Sequence, residues 1–138
     1  FLIGTPHVLS LAPAIGALQL VNRAGLDAVR EKSLDLTGLL VQLTESKLRR
    51  FGVRIVTPGE AERRGGHLTL AHPAAGKLSR ALRARGVIPD YRPPDLLRLA
   101  PAPLYTSFAE CERAVGVLED VLATGAHEQL PDRDAPVT

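Results

Sequence analysis

The sequence predicts an α+β domain in which a small, mostly antiparallel sheet carries helices on one face. Helical periodicity dominates residues 13–50, and the strictly alternating stretch HLTLAH at residues 67–72 is typical of a strand. The segments that follow the first helices are predicted in the order β-β-α-β-β-α. A length of 138 residues and an apolar content of 45% fit one domain with a buried core.

Two helices are predicted in the first part of the chain. The first extends from about Pro13, as a first-turn proline, to about Asn22. It is apolar on most sides, which is typical of a helix that is buried on most sides. The second extends from about Leu26 to about Arg50, and Gly52 suits its end because glycine readily adopts the left-handed conformation. The apolar stripe of the second helix is formed by Leu26, Val29, Leu36, Leu40 and Leu43.

Four short segments are predicted as strands, namely VRIVTP, HLTLAH, VIPDYR and LLRLA. The polar loop GEAERRGG joins the first two, and a helix between Pro73 and Gly86 separates the second from the third. VIPDYR is predicted at or near an edge of the sheet because Pro89 cannot donate a hydrogen bond to a neighbouring strand. The turn RPPD then leads into LLRLA.

A last helix is predicted after SFAE, which has the pattern of a capping box. Ser107 can accept a hydrogen bond from the third amide of the helix while Glu110 reaches back to its start. The inward-facing residues are predicted to be Phe108, Cys111, Val115, Leu118 and Leu122. After Gly125 the tail is polar and contains prolines, and it is predicted to be frayed.

Composition argues against several classes of function. The net charge is +2 and basic residues adjoin only in pairs, so no nucleic-acid-binding surface is predicted. The four histidines follow no metal-ligand spacing, so no metal site is predicted. The single cysteine, Cys111, cannot form an internal disulfide, which suits a reducing, cytoplasmic environment.

The opening segment carries no charged side chain before Arg23. Glycines and prolines interrupt it, whereas a membrane-spanning helix needs about 20 mostly apolar residues. It also lacks the basic start of a signal peptide, so no membrane association is predicted. The segment is interpreted as one that protein outside this chain covers. The chain contains no methionine, which is typical of a fragment or a processed product.

Arg98 is the first candidate for a functional residue, because it interrupts the apolar stretch LLRLA. Strand periodicity places it on the sheet face opposite to Leu97 and Leu99. In one interpretation it is a surface arginine whose stem lies along the sheet and whose head is in water. In the other, its planar guanidinium awaits a carboxylate, which it can bind through two parallel hydrogen bonds.

The other candidates are weaker when they are judged from the residues alone. Thr5 in a Gly-Thr-Pro turn can donate to a phosphate or simply form the turn, and Arg64 beside two glycines is typical of a solvated loop charge. Cys111 and His67 are interpreted as structural, and Glu110 is explained by capping. No nucleophile–base pair, glycine-rich phosphate loop or metal motif is visible, so the chain shows no catalytic apparatus of its own.

Several stretches nevertheless resemble the C-terminal third of kynureninase, from Phe1 to about Ala123. They are FLIGTPHVLSLAP, AGLDAVREKSLDLTGLL, ERRGGHLTL, ALRARGVIPDYRPPDLLRLAPAPLYTSF and the last helix. The resemblance implies an enzyme that depends on pyridoxal 5′-phosphate and has the aspartate-aminotransferase fold type, fold type I. Such enzymes hydrolyse L-kynurenine to anthranilate and L-alanine in tryptophan catabolism, and they are homodimers whose active sites use both subunits.

The resemblance also implies how the chain is organised. Residues 1–24 would link to, and pack on, a large domain that this chain lacks, residues 25–124 would form the small C-terminal domain, and residues 125–138 a flexible tail. The lysine that forms the Schiff base with the cofactor would lie in the large domain, so the chain alone is expected to be inactive. Its own lysines do not match that context; they are Lys32, Lys47 and Lys77.

Three residues correspond by position to functional positions of the family. Arg98 matches the arginine that holds the α-carboxylate of the substrate. Thr5 matches a position near the cofactor phosphate that the neighbouring subunit supplies, and Gly4 one that shapes the pocket for the aromatic ring of the substrate. Two alternatives remain: the small domain of another fold-type I enzyme, such as a cysteine desulfurase-like lyase or transferase, or a non-catalytic interaction module.

Overall fold

A computed structural model describes residues 8–131. Gly4 and Thr5 therefore lie outside the described residues. The helices are α1 (Val8–Ala24), α2 (Leu26–Leu43), α3 (Ala75–Ala84) and α4 (Phe108–Ala123). The strands are β1 (Arg54–Ile55), β2 (Leu68–Ala71), β3 (Asp90–Arg92) and β4 (Leu96–Leu99). The predicted order after the first two helices, β-β-α-β-β-α, is confirmed.

The four strands form one antiparallel sheet in the order β1-β2-β4-β3. β3 lies at an edge, as Pro89 predicts, and β4 lies between β2 and β3. The register places Arg98 directly opposite Thr69 on one side and Asp90 on the other. Because opposed residues point to the same face of a sheet, these three side chains share one face.

The core lies between three helices, α2, α3 and α4, and the sheet face opposite to Arg98. Leu97 is 2% exposed and Leu99 is 8% exposed, whereas Arg98 between them is only half-buried. The predicted strand phase is therefore confirmed. We call the Leu97 face the inner face and the Arg98 face the outer face. The largest fully buried side chains include Leu36, Leu40, Leu48, Leu68, Leu70, Leu78, Leu82, Leu97, Leu118, Val115 and Val121.

The long second helix continues beyond α2 through one π-helical turn (Thr44–Leu48) and one 3-10 turn (Arg49–Phe51). Gly52 ends it with φ of 81°, a left-handed conformation that costs glycine little. The predicted end near Arg50 is thus confirmed. The capping box of α4 is also present, because Ser107 Oγ accepts from the amide of Glu110 (3.2 Å) while Glu110 Oε2 accepts from the amide of Ser107 (2.8 Å).

One expectation for α1 and one for α4 differ from the structure. α1 begins at Val8, so Pro13 lies inside the helix rather than in its first turn. The apolar residues of α1 are exposed within this chain, including Leu9 at 78% and Ile15 at 59%, and the helix packs mainly along α2. Phe108 is 44% exposed and is not a core residue, since it is the first residue of α4 and lies beyond the end of the buried stripe.

After α4 the chain continues as turns through residues 124–129. His127 is 6% exposed, and its Nδ1 lies 3.2 Å from the carbonyl oxygen of Val121. The rings of His127 and His72 meet edge to face, with 6.2 Å between their centroids. Arg80 donates to the carbonyl oxygen of Pro131, which fixes the last described residue to α3.

His72 makes the stability of this region depend on pH. Its Nδ1 accepts a hydrogen bond from the amide of Ala74 (3.1 Å), which only the unprotonated nitrogen can do. Burial lowers the pKa of His72 below its ordinary value of 6.5; a hydrogen bond with the backbone of Phe51 offsets part of this effect, and the charge of His127 adds to it. The unfolded chain therefore binds this proton more readily than the folded chain does.

We expect the free energy of unfolding to be highest above pH 6.5 and to fall as the pH decreases through the lower folded pKa of His72. His72→Asn should weaken this pH dependence, because an asparagine oxygen can still accept from the amide of Ala74 but does not titrate. Urea unfolding of both proteins between about pH 7.5 and about pH 5.5 measures the difference. Identical pH dependence in the two proteins would contradict this role of His72.

Candidate carboxylate-binding site

Strands β3 and β4 carry a cluster of charged side chains on the outer face of the sheet. Arg98 Nε donates to Asp90 Oδ2 at 2.7 Å, and Arg98 Nη2 donates to the same oxygen. The side chains of Arg98 and Asp90 are 34% and 40% exposed, so the pair lies at the surface of this chain. The guanidinium is thus hydrogen-bonded to Asp90, a partner that neither sequence interpretation of Arg98 included.

Arg92 contributes a second guanidinium to the same carboxylate. It lies two residues after Asp90 in β3, and therefore on the same face, and its Nε donates to Asp90 Oδ2 at 3.1 Å. The hydrogen bond from Arg98 lowers the pKa of Asp90 most, and the hydrogen bond and charge of Arg92 lower it further. Asp90 therefore remains ionised throughout the neutral range, and the cluster of two arginines and one aspartate keeps an excess of positive charge.

The outer face carries a third arginine near the far edge of the sheet. Arg54 is paired with Ala71, and Ala71 with Leu96, which lies two residues before Arg98. All of these side chains consequently point to the same face. The face therefore suits an anion, and its planar guanidinium groups suit a carboxylate in particular.

Sequence reasoning did not find Asp90, because its role depends on the pairing of β3 with β4. One sequence feature could have indicated this pair. Asp90 lies on a predicted edge strand, eight residues before Arg98 on the next strand, and the turn RPPD separates the two strands. A hairpin across this turn brings two such residues opposite each other only in one register. The structure has that register.

None of the strands carries a lysine, so the described residues place no lysine beside Arg98 on the outer face. Lys32 and Lys77 belong to helices that pack on the inner face, and Lys47 lies 3.6 Å from Glu119 in an ion pair between helical segments. The described part of the chain therefore fits a carboxylate but does not itself fit pyridoxal 5′-phosphate, whose covalent attachment needs a lysine amine.

Arg64 is a buried residue, contrary to its interpretation as a solvated loop charge. It is 7% exposed, its Nε donates to Thr37 Oγ1 at 3.0 Å, and its Nη1 donates to the carbonyl oxygen of Gly59 at 2.8 Å. Arg30 in α2 donates to the carbonyl oxygens of Arg64 (3.0 Å) and Ala61 (3.1 Å). The two arginines thus fasten the loop between β1 and β2 to α2, which makes Arg64 a structural residue of this domain.

Replacing Arg64 should destabilise the domain. In Arg64→Met the buried hydroxyl of Thr37 and the carbonyl oxygen of Gly59 lose their donor, and we expect the free energy of unfolding to fall by about 1–3 kcal/mol. The matched control is Arg63→Met, because Arg63 is 71% exposed and pairs only weakly with Glu60 (3.9 Å), so its loss should change the free energy by less than about 0.5 kcal/mol. Urea unfolding of both variants tests this, and equal effects would contradict the fastening role of Arg64.

The remaining candidates have structural positions. Cys111 is 3% exposed, and burial followed by the charge of Glu110 raises the pKa of its thiol, which agrees with a core residue rather than a nucleophile. His67 is exposed immediately before β2. Residues 8–131 contain no group of three or more His, Cys, Asp or Glu side chains able to hold a metal ion. Within the same range, no helix is long and apolar enough to span a bilayer.

Comparison with known proteins places these features in a family. A profile of the kynureninase C-terminal domain matches residues 29–118. The chain belongs to the kynureninase C-terminal domain family. The kynureninase of Geobacillus thermodenitrificans is 45% identical over 120 residues, which cover 87% of this chain and 28% of that protein. The kynureninase of Bacillus cereus strain ZK is 43% identical over 131 residues, which cover 95% of this chain and 31% of that protein.

This kynureninase C-terminal domain spans about three tenths of the length of the curated relatives it matches. Among solved structures, a NifS-like protein superposes with a TM-score of 0.68 at 19% identity, over 88% of this chain and 35% of that one. Identity at that level shows the fold alone. Together with the helices and antiparallel sheet described above, it confirms the predicted α+β fold of the small domain.

Proposed function

We propose that the protein to which this chain belongs hydrolyses L-kynurenine to anthranilate and L-alanine, and that Arg98 binds the α-carboxylate of the substrate. Family membership supports the reaction, because the relatives at 42–45% identity are kynureninases. The observation that supports the role of Arg98 is its position on the outer face, in a cluster with surplus positive charge and at the surface of this chain. An α-amino acid substrate offers the carboxylate that such a cluster recognises.

The contribution of Arg98 would be orientation. Two parallel hydrogen bonds between a guanidinium and a carboxylate fix both the distance and the plane of the bound group. Fixing the α-carboxylate determines which bond at the α-carbon is aligned for reaction, and such alignment can supply a large part of a rate enhancement. Pyridoxal 5′-phosphate, which the family resemblance implies, supplies the electron sink for this chemistry when it is bound.

The overall reaction adds one water to kynurenine. The water oxygen bonds to the γ-carbonyl carbon, the bond between Cβ and Cγ breaks, and the electron pair left on Cβ takes up a proton to give alanine. The γ-carbon leaves as the carboxylate of anthranilate. Because no nucleophile–base pair is visible in the sequence, we assign to this domain the binding of the substrate and not these bond changes.

We propose the remaining parts of the site by the same family argument. The Schiff-base lysine and most contacts to the cofactor would come from parts of the protein outside this chain, and the enzyme would be a cytoplasmic homodimer. Thr5 would lie near the cofactor phosphate of the neighbouring subunit, and Gly4 near the aromatic ring of the substrate. The exposed apolar residues of α1 support a contact between this helix and a further part of the protein.

The test is a substrate panel on the full-length protein that contains this chain, supplied with pyridoxal 5′-phosphate. We expect L-kynurenine to release fluorescent anthranilate, and 3-hydroxykynurenine in the same assay establishes which of the two is preferred. L-cysteine serves as the control for a desulfurase-like activity, with released sulfide as the readout. Sulfide release without anthranilate would favour the other fold-type I enzyme, and turnover of neither substrate would favour a non-catalytic module.

A further inference from the structure

We propose that Asp90 is a positioning residue. It binds the side edge of the Arg98 guanidinium, formed by Nε and Nη2, and thereby leaves the end edge, formed by Nη1 and Nη2, to bind the substrate carboxylate. This inference rests on the function proposed above and names a second residue of the same site. It concerns a residue that does not contact the substrate itself.

The hydrogen bonds to Asp90 use one edge of the guanidinium. Nε and Nη2 share the side edge of an arginine head, and both donate to the same oxygen, Asp90 Oδ2. The end edge is formed by Nη1 and the second hydrogen of Nη2. Among the described residues, no acceptor takes a hydrogen bond from Arg98 Nη1. The end edge can therefore still bind a second carboxylate through two parallel hydrogen bonds.

The charges of the cluster favour a second carboxylate beside Asp90. A single aspartate beside a single arginine would neutralise the charge of the arginine and weaken the attraction of the arginine for an anion. Here Arg92 Nε also donates to Asp90 Oδ2 (3.1 Å), so the negative charge of Asp90 is shared between two guanidinium groups. One positive charge remains uncompensated within the group of three, and an incoming carboxylate completes two ion pairs on adjacent arginines.

The pairing of the strands makes Asp90 suitable for this role. Asp90 lies directly opposite Arg98 in the antiparallel register, so the position of its carboxylate is set by the backbone hydrogen bonds of β3 and β4 rather than by a loop. A long arginine side chain loses considerable freedom when it is fixed in one rotamer. If Asp90 has already restricted Arg98, that loss occurs on folding and not when the substrate binds.

The experiment measures Asp90→Ala and Asp90→Asn in the full-length holoenzyme. We expect Asp90→Ala to raise the KM for L-kynurenine and to lower kcat/KM about tenfold, the effect of about one charge-assisted hydrogen bond. Asp90→Asn should recover part of this loss, because its amide oxygen still accepts from the side edge of Arg98. Asp95→Ala in the turn between β3 and β4 is the matched control, and it should leave both constants near those of the wild type.

A second readout separates positioning from a general structural role. Kynuramine, the amine that lacks only the α-carboxylate of kynurenine, is used as an inhibitor. We expect its inhibition constant to be unchanged by Asp90→Ala, since it has no group for Arg98 to bind. The free energy of unfolding of each variant is measured alongside, because this half-exposed pair should contribute less than about 1 kcal/mol to stability.

The outcomes are distinguishable. An unchanged KM for kynurenine in Asp90→Ala would overturn the positioning role, and a lower KM would show that Asp90 competes with the substrate for Arg98. An equal weakening of kynuramine and kynurenine would show a general disturbance of the site, which also overturns the proposal. Failure of the wild-type holoenzyme to release anthranilate would instead overturn the proposed function on which this inference rests.

Discussion

In the full-length holoenzyme, Arg98→Lys is expected to lower kcat/KM for L-kynurenine by about 100-fold or more. Lysine keeps the positive charge but replaces the planar fork with a single ammonium on a flexible stem, so it cannot make two parallel hydrogen bonds to a carboxylate. Each of the two charge-assisted hydrogen bonds contributes about 1.5–3 kcal/mol, and 1.4 kcal/mol corresponds to a factor of ten. The release of fluorescent anthranilate at several kynurenine concentrations measures the change.

The matched control for this substitution is Arg54→Lys on the same face of the sheet. Arg54 is exposed on β1 and is separated from Arg98 by the strand β2. A general effect of the arginines on the outer face would lower kcat/KM in both variants alike. Specific binding of the substrate by Arg98 would lower kcat/KM in Arg98→Lys alone. Near-normal turnover by Arg98→Lys would defeat the assignment of Arg98 as the residue that binds the carboxylate.

The second large effect concerns stability. Leu97→Ala is expected to lower the free energy of unfolding by about 3–5 kcal/mol, because a fully buried leucine loses its transfer energy and leaves a cavity. Leu97 is 2% exposed and lies in β4 between two neighbouring strands, so the structure around it has little freedom to collapse into the space. For a single domain whose total stability is typically about 5–15 kcal/mol, this is a large fraction.

Leu96→Ala is the control, because it makes the same change on the adjacent residue of the same strand. Leu96 points to the outer face and is half-buried, so its loss should cost roughly 1 kcal/mol. Urea unfolding of both variants gives the two free energies. Equal costs would contradict the assignment of inner and outer faces, on which the position of Arg98 also depends.

The features that sequence predicted correctly are those that local spacing determines. The alternation of Leu97, Arg98 and Leu99 fixes which residues share a face as soon as the segment is extended. The capping box needs only the two residues Ser107 and Glu110, three positions apart. Gly52 stops its helix through its own backbone preference. None of these depends on where the rest of the chain lies.

The features that sequence missed depend on contacts between distant residues. Arg64 is buried because its loop folds across α2 and places Thr37 within reach, 27 residues away. Asp90 meets Arg98 only in the register that the structure has.

The place of Asp90 in the sheet has a consequence for the movements of the domain. Arg98 lies on an inner strand, but its partner lies on β3, which is three residues long and is the edge of the sheet. Edge strands open more readily than the strands beside them, at a free energy well below that of global unfolding. Each brief detachment of β3 would free the arginine head while the leucine core stays intact. A ligand that binds the Arg98 guanidinium only while Asp90 holds it would therefore slow the exchange of the β3 amide hydrogens with solvent, although the ligand does not contact those amides.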